Sequence, residues 1–414
     1  MSFSSLRHRL SLRRIAVFWF GLTAACAPLY VVRWHYGPLP TTLLETLILI
    51  SVVLYALTLW SERAWPERTP LDIPIAVLLV AGVVSVFDAP SITSALGTYR
   101  AYFIEAIACY YVGVGLLRSR ADVTAFLLIA GAGACVFSAG QVISFLQALA
   151  THTLNLSAAP SFLNTSANDD AMYLEAPFAF ALAFALFAPR LKERIVGAAM
   201  FAIVAVGLLV SFSRASYLAV AVLAFVLVMS AQTPRHRLWA VGGLAVLGLI
   251  VLEIPFVNQR FQTLANSVAN RDALYREAVE MLSQRPILGA GIDGFAVRVA
   301  PFRPPGAIVH IYPHDVWLTT WSEIGLAGVV VFALIVIVLI VRGARNLGSA
   351  RDLSRPLLWG SVGALVLFVV HGLFDSPYWK NDLSVEFWVV AALQVVAIRA
   401  SRLGWSDPER LTRP

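Results

Sequence analysis

Charge is scarce in this sequence. Only 13% of its 414 residues are Asp, Glu, Lys or Arg, about half the share of an average soluble chain. That is too little to coat a soluble surface of this size. Cysteine is scarce too: Cys26, Cys109 and Cys135 lie inside apolar runs without CxxC or CxxH spacing. They exclude a disulfide framework and a thiolate metal site. The glycines of 288–295 (LGAGIDGF) lack the Lys-Ser/Thr ending of a phosphate-cradling P-loop, and no repeat marks an inverted-repeat transporter. What the chain has in abundance is apolar side chain, 59% of residues, with a mean hydropathy of +0.77. This is the composition of a polytopic membrane protein.

An α-helix needs about 20 apolar residues to cross a 30 Å hydrocarbon core. About twelve runs approach this length: 15–32, 40–60, 73–88, 101–117, 123–148, 170–188, 194–212, 215–231, 238–256, 323–341, 356–374 and 384–399. The net charge of +7 would suggest nucleic acid in a soluble chain. Here the basic residues fall in alternate connections, as the positive-inside rule requires. Arg7, Arg9, Arg13 and Arg14 precede the first run, and further basic residues occupy 61–72, 118–122, 189–194, 232–237, 342–355 and the C-terminal tail. The opposite side receives Arg33, Arg100, Arg214, Lys380 and the basic residues of one long loop. The N-terminus resembles a signal peptide but has no convincing cleavage site, so it reads as a retained first helix. The expectation is an all-α fold with both termini cytoplasmic. Nine spans lie in 1–256, an outer loop at 257–322, three spans in 323–400 and a cytoplasmic tail at 401–414.

The outer loop is too long for a turn, and long structured loops usually carry function. Within it, 271–285 (RDALYREAVEMLSQR) places Leu274, Ala278 and Leu282 at helical spacing with charges between them. That spacing predicts an amphipathic helix at the outer surface, ending before Pro286.

Several polar residues do not belong to a plain bundle. Arg214, in SFSRASYL, sits between two apolar runs with almost no polar spacer. A snorkelling interfacial arginine is the plainer reading. Charge pinned near a bilayer is costly, however, and points to function, and a guanidinium holds phosphate in a planar fork. Arg271 opens the amphipathic segment, which also carries Arg276 and Arg285, and composition cannot choose among the three. His314 is followed by Asp315 and, nine residues on, by Glu323 at the entry of a span. A neutral imidazole can accept a hydroxyl proton near neutral pH, although an interfacial histidine is more often polar packing. No spacing supplies the three or four convergent ligands of a metal site, and Pro313 argues against His310 and His314 sharing a helix face. HGLFDSPYWKND (371–382) brings His371 and Asp375 to an outer helix end as either an aromatic belt or a wall for a sugar. Asn168, Asp169 and Asp170 stand at the mouth of another span.

In order along the chain, four pieces resemble the O-antigen ligase and polymerase superfamily of bacterial envelope glycosyltransferases. They are the Asn/Asp-rich mouth before a Pro-containing span (164–181), FSRASYLA (212–219), R-x3-Y-x2-A-x3-L leading into RPILGAGIDGF (271–295), and H-x3-L-x4-E-x-G-L-x-G from His314 to Gly328. The likeness covers roughly 164–330. Two positions differ from the family pattern: Asp315 stands where Asn is usual, and Tyr275 where Trp is usual.

The resemblance implies a GT-C-like membrane enzyme of the bacterial inner membrane with its active site facing the periplasm. Its donor would be a glycan on undecaprenyl diphosphate and its acceptor a hydroxyl of the lipid A-core, both embedded among membrane lipids. It uses no nucleotide, metal or other cofactor and binds no nucleic acid. On this reading Arg214 and Arg271 hold the diphosphate and His314 is the base, while Asn168, Asp375, Arg276 and Glu323 line the substrates. O-antigen polymerase and protein O-oligosaccharyltransferase share the chemistry; the latter often carries a longer C-terminal soluble part. A lipid-linked glycan flippase is the rival of another class, but it should place polar residues at mid-membrane depth in both halves. Here they cluster on one face.

Overall fold

The computed structural model describes residues 3–37, 39–156, 159–163, 166–230, 241–243, 248–249, 251–262 and 264–405. These are mainly helical. In chain order they form α1 (Phe3–Ala25), α2 (Leu43–Glu62), α3 (Asp72–Asp88), and α4 (Ile92–Tyr99), which continues through a π-helical turn at Arg100–Glu105 into α5 (Ala106–Leu116). Then follow α6 (Arg120–Ala150), α7 (Ala167–Phe187), α8 (Leu191–Leu209), α9 (Arg214–Met229), α10 (Pro255–Gln262) and α11 (Leu264–Gln284). The last three are α12 (Val316–Asn346), α13 (Ser354–His371) and α14 (Asn381–Leu403).

Helices occupy the apolar runs predicted from sequence, except that the run at 238–256 falls largely outside the described residues, as does most of the tail at 401–414. Among the described residues, α2, α6, α7, α12, α13 and α14 are long and apolar enough to cross a membrane, and α9 is a shorter apolar helix. The protein is therefore an integral membrane protein. The all-α expectation needs one correction. Strands β1 (Arg33–Tyr36) and β2 (Leu39–Thr42) pair antiparallel, with Arg33 opposite Thr42 and Tyr36 opposite Leu39. Aromatic and β-branched residues on both sides of Gly37-Pro38 favour a hairpin there.

Helix starts follow local chemistry. Thr42 and Glu45 form a capping box on α2, as do Ser119 and Asp122 on α6, each satisfying otherwise orphaned backbone N–H groups. Large apolar side chains point outward along these helices: Leu49, Val53 and Trp60 on α2, Ile73, Val80 and Phe87 on α3, and Val136 and Ile143 on α6. Water would not tolerate this, but hydrocarbon does. The interior combines large side chains such as Phe20, Phe126 and Trp388 with buried small and polar ones, which hold helices together where lipid gives them no hydrophobic reason to associate. The Thr23 hydroxyl meets that of Ser51 at 2.9 Å, and Ser138 donates to the Ile203 carbonyl at 2.7 Å.

One end of the bundle is closed by ion pairs. Arg13 reaches Glu62 at 3.4 Å and Asp122 at 3.5 Å, and Arg118 reaches Glu62 at 3.3 Å and Glu67 at 3.1 Å. Arg399 also pairs with Glu67.

The opposite end is shaped by a break in α12. At Gly325 (φ 70°, ψ −178°) the backbone enters a region that essentially only glycine occupies. The glycine loop docks into this break: Leu326 N–H donates to the Ile287 carbonyl at 2.9 Å, and Ala290 N–H donates to that of Ser322. A Cβ at Gly325 would lie 2.4 Å from the Ile287 oxygen, and one at Gly289 2.4 Å from the Trp321 oxygen. Backbone contact is thus the use of these glycines. The amphipathic segment forms the second half of α11, burying Leu274, Ala278, Met281 and Leu282 against Phe295 and Val299, with Leu318 and Trp321 of α12 packed alongside.

Gly325→Ala is expected to destabilise the protein by at least about 1–3 kcal/mol from backbone strain alone. Gly348→Ala, with nothing within 4 Å of the added Cβ, should be nearly neutral. Thermal melting in detergent checks this, and equal melting temperatures would contradict it.

Candidate active site

Four helices, α7, α9, α12 and α14, begin near this broken end. Helix starts present unpaired N–H groups and the positive end of the macrodipole, so anions are favoured there. Ser166, Ser213 and Asp315 cap α7, α9 and α12. Asp315 accepts from Trp317 N–H at 2.9 Å and Leu318 N–H at 2.8 Å. Its role there is that of an acceptor, which an asparagine side-chain oxygen could also fill.

The connection after α13 carries Asp375, which is only 7% exposed. Its Oδ1 accepts from Ser376 N–H at 2.8 Å and lies 3.0 Å from His314 Nδ1. Its Oδ2 accepts from the Asn168 amide, whose oxygen in turn accepts from the Ser213 hydroxyl. A hydrogen-bonded chain thus runs Ser213–Asn168–Asp375–His314. It begins next to Arg214 and ends on an imidazole whose side chain keeps 32% exposure.

The electrostatics of the pair are reciprocal. Burial alone would raise the Asp375 pKa, but the hydrogen bond and charge of His314 outweigh it and hold the carboxyl at about 2. Burial would lower the His314 pKa; the bond to Asp375 and its charge outweigh that, against opposition from Arg271, and the imidazole sits above its ordinary 6.5. With Nδ1 engaged by Asp375, Nε2 is the nitrogen left to meet a substrate. His314 itself has φ +57°, a left-handed conformation that costs a non-glycine residue about 1–2 kcal/mol. Tyr275 helps hold it there, its hydroxyl lying 3.1 Å from the carbonyls of both His314 and Leu373. Burial pushes the Tyr275 phenol up to about 12, so it remains a donor.

The structure separates the three loop arginines. Arg285 grips both oxygens of Asp88 at 2.9 and 2.7 Å, and Arg276 pairs with Asp272 at 2.7 Å on the exposed face of α11. Arg271 is half-buried and within electrostatic reach of His314 and Tyr275. Among the described residues no carboxylate pairs with it. Glu323 is buried and accepts from Asp293 N–H at 2.6 Å, which places it at the glycine loop and not beside Asp375. Arg276 and Glu323 are therefore not gathered with His314, whereas Asn168 and Asp375 are.

Sequence reasoning missed Ser213, which only its place before Arg214 could have flagged, and it gave Tyr275 no role. Among the described residues, no three His, Cys, Asp or Glu side chains converge as metal ligands. An apolar cleft of about 290 Å³ lies elsewhere, among α1, α6, α7, α8 and α14, and none of His314, Asp375, Arg214 or Arg271 lines it.

Asp375→Asn is expected to lower the His314 pKa. Diethyl pyrocarbonate modifies neutral imidazole, so labelling of His314, localised by peptide fragmentation, should begin at lower pH than in the parent. An unmoved midpoint would contradict the coupling.

No curated protein matches the chain. Residues 198–333 match the model of the family described as O-antigen ligase, a stretch that contains Arg214, Arg271, His314 and the break in α12. That match supports membership of the O-antigen ligase superfamily for this stretch of the chain.

Proposed function

We propose that this protein is an O-antigen ligase, transferring a glycan from undecaprenyl diphosphate to a hydroxyl of the lipid A-core. The site end of the bundle faces the periplasm of a bacterial inner membrane, both termini are cytoplasmic, and 257–322 is the periplasmic loop. The observation that carries this reading is the juxtaposition of the His314–Asp375 pair with Arg271 on one side and, through Asn168 and Ser213, the Arg214 helix start on the other. A polyprenyl diphosphate needs a cationic cradle at the membrane surface, and a sugar hydroxyl needs a base.

In the reaction, His314 Nε2 takes the proton of the acceptor hydroxyl as its oxygen attacks the anomeric carbon from the face opposite the diphosphate. The glycosyl C–O bond breaks with inversion. Its electron pair stays on the departing phosphate oxygen, where Arg214, Arg271 and the dipole of α9 stabilise the growing charge. Asp375 keeps His314 in the tautomer that presents Nε2 and stabilises the imidazolium. His314 then releases its proton to solvent or to the diphosphate. The arginines carry the charge compensation that a metal would otherwise supply.

O-antigen polymerase and protein O-oligosaccharyltransferase activities would use the same groups with another acceptor. A flippase is disfavoured because the candidate residues gather at one end of the bundle.

The test is transfer by purified protein, with chelator present, from an undecaprenyl-diphosphate glycan to lipid A-core, resolved on a gel. A shift appearing only with lipid A-core supports the ligase, and a ladder without it makes the protein a polymerase. His314→Ala should lose about 10²–10⁴-fold in rate, the usual worth of a general base. Arg271→Ala should lose about 10²–10³-fold, and Arg271→Lys should recover only part, because an ammonium replaces a planar fork. Full activity of His314→Ala would sink the base, and activity restored only by Mg²⁺ or Mn²⁺ would sink the metal-free mechanism.

A further inference from the structure

Directly beneath Asp375 lies a second acid–histidine pair that the reaction above does not use. His371 is fully buried, and its Nδ1 lies 2.6 Å from Glu175 Oε1. The same carboxylate oxygen accepts from the Ser216 hydroxyl at 2.6 Å. Buried polar groups are costly unless they find partners, and these side chains find them in one another.

Ser213 and Ser216 are three residues apart at the start of α9, Asn168 and Glu175 seven apart on α7, and His371 and Asp375 four apart across the end of α13. The intervals on α9 and α7 return to the same helix face, and Asp375 is held one turn beyond His371 by the bond of its N–H to the His371 carbonyl. The two sets are therefore successive rungs across the same three segments: Ser213–Asn168–Asp375 above, Ser216–Glu175–His371 below. One rung would act as a pivot, whereas two fix an orientation. The lower rung also bears on the turn that carries Asp375, because the His371 carbonyl accepts from the N–H groups of Phe374 at 2.8 Å and Asp375 at 3.0 Å.

Resting on the function proposed above, we propose that His371, Glu175 and Ser216 form a positioning clamp that fixes the His314–Asp375 base against the helix start bearing Arg214. The clamp touches neither donor nor acceptor. It holds the attacking hydroxyl and the departing diphosphate at a constant separation during transfer. A misplacement of 1 Å can cost about 10²-fold in rate, so registry of this kind matters to the chemistry.

The charged and titratable groups around the two pairs are few. Asp375, Arg271 and Asp169 act on His314, the rings of Tyr312 and His310 lie 5.3 and 5.2 Å from it, and the Tyr275 hydroxyl meets its carbonyl. Glu175, Asp375 and Arg271 face His371. Glu386 of α14 joins Glu175 in lining a void of about 30 Å³.

Glu175→Gln tests the clamp, since it keeps the shape of the side chain and removes its charge. The expected result is a fall in kcat of about tenfold or more with KM for the undecaprenyl-diphosphate glycan little changed. The pH midpoint for diethyl pyrocarbonate labelling of His314 should move downward, as in Asp375→Asn, because a loosened turn weakens the bond that raises the imidazole. Glu175→Asp, which retains the charge, should recover part of both. Should Glu175→Gln fail to fold, Ser216→Ala removes one hydroxyl from the same rung and should shift both readouts in the same direction by less. Parent kcat and an unmoved midpoint in either folded variant would overturn the clamp. The labelling midpoint needs no substrate: if the parent transfers no glycan, the proposed function fails while the clamp is still decided.

Discussion

A carboxylate buried at the edge of a membrane must have every lone pair occupied, and the site is built around meeting that demand for Asp375. Isolated, such a group would take up a proton. Here His314, the Asn168 amide and the Ser376 N–H all converge on it, and it stays ionised. Each partner belongs to a different stretch of chain, so satisfying one charge draws α7, the turn after α13 and the entry to α12 into one arrangement. The basicity of His314 is the other side of the same interaction.

Around that centre, the polar residues divide their labour. Arg285 and Arg298 converge on Asp88, with Arg298 at 2.7 Å, and the Glu323 carboxylate takes the Asp293 N–H. Ser94 and Thr98 donate to Asp293 at 2.7 and 2.8 Å. These contacts fasten the 285–298 loop to α3, α4 and the break in α12. Basic residues that look equivalent in composition are thereby sorted: Arg285 and Arg298 hold the loop, Arg276 pairs with Asp272 on the exposed face of α11, and Arg271 lies beside His314. A long loop fastened in this way positions side chains as a helix would, which suits chemistry that requires fixed geometry.

The helices were readable from apolar runs because a bilayer demands continuous hydrophobic stretches, and the amphipathic part of α11 from its spacing. The strands at 33–36 and 39–42 escaped because the few mixed residues after the run 15–32 give no periodic signal and the second strand merges into the apolar run that begins at 40. His314, Asp375, Asn168 and Arg214 were each conspicuous as polar residues at the ends of apolar runs. Their connectivity was not visible, since hydrogen bonds between residues 168 and 375, or 213 and 168, depend on which helix ends become neighbours. Glu323 was conspicuous for the same reason, at the entry of a span, but its bond to the backbone N–H of Asp293, thirty residues earlier, was not visible in the sequence. Glu175 reads in sequence only as an acid inside a span. Its meaning comes from the interval that places it one rung below Asn168.

The central claim is that diphosphate sits between Arg214 and Arg271 with the sugar end directed at His314. The most direct measurement is an experimental structure of the purified protein in lipid nanodiscs with undecaprenyl diphosphate bound. The account requires the diphosphate at the start of α9, contacting both guanidinium groups, with its terminal phosphate facing His314 Nε2. Diphosphate seated at Arg276 or Arg285 instead, or at the opposite end of the bundle near Arg13 and Arg118, would contradict it.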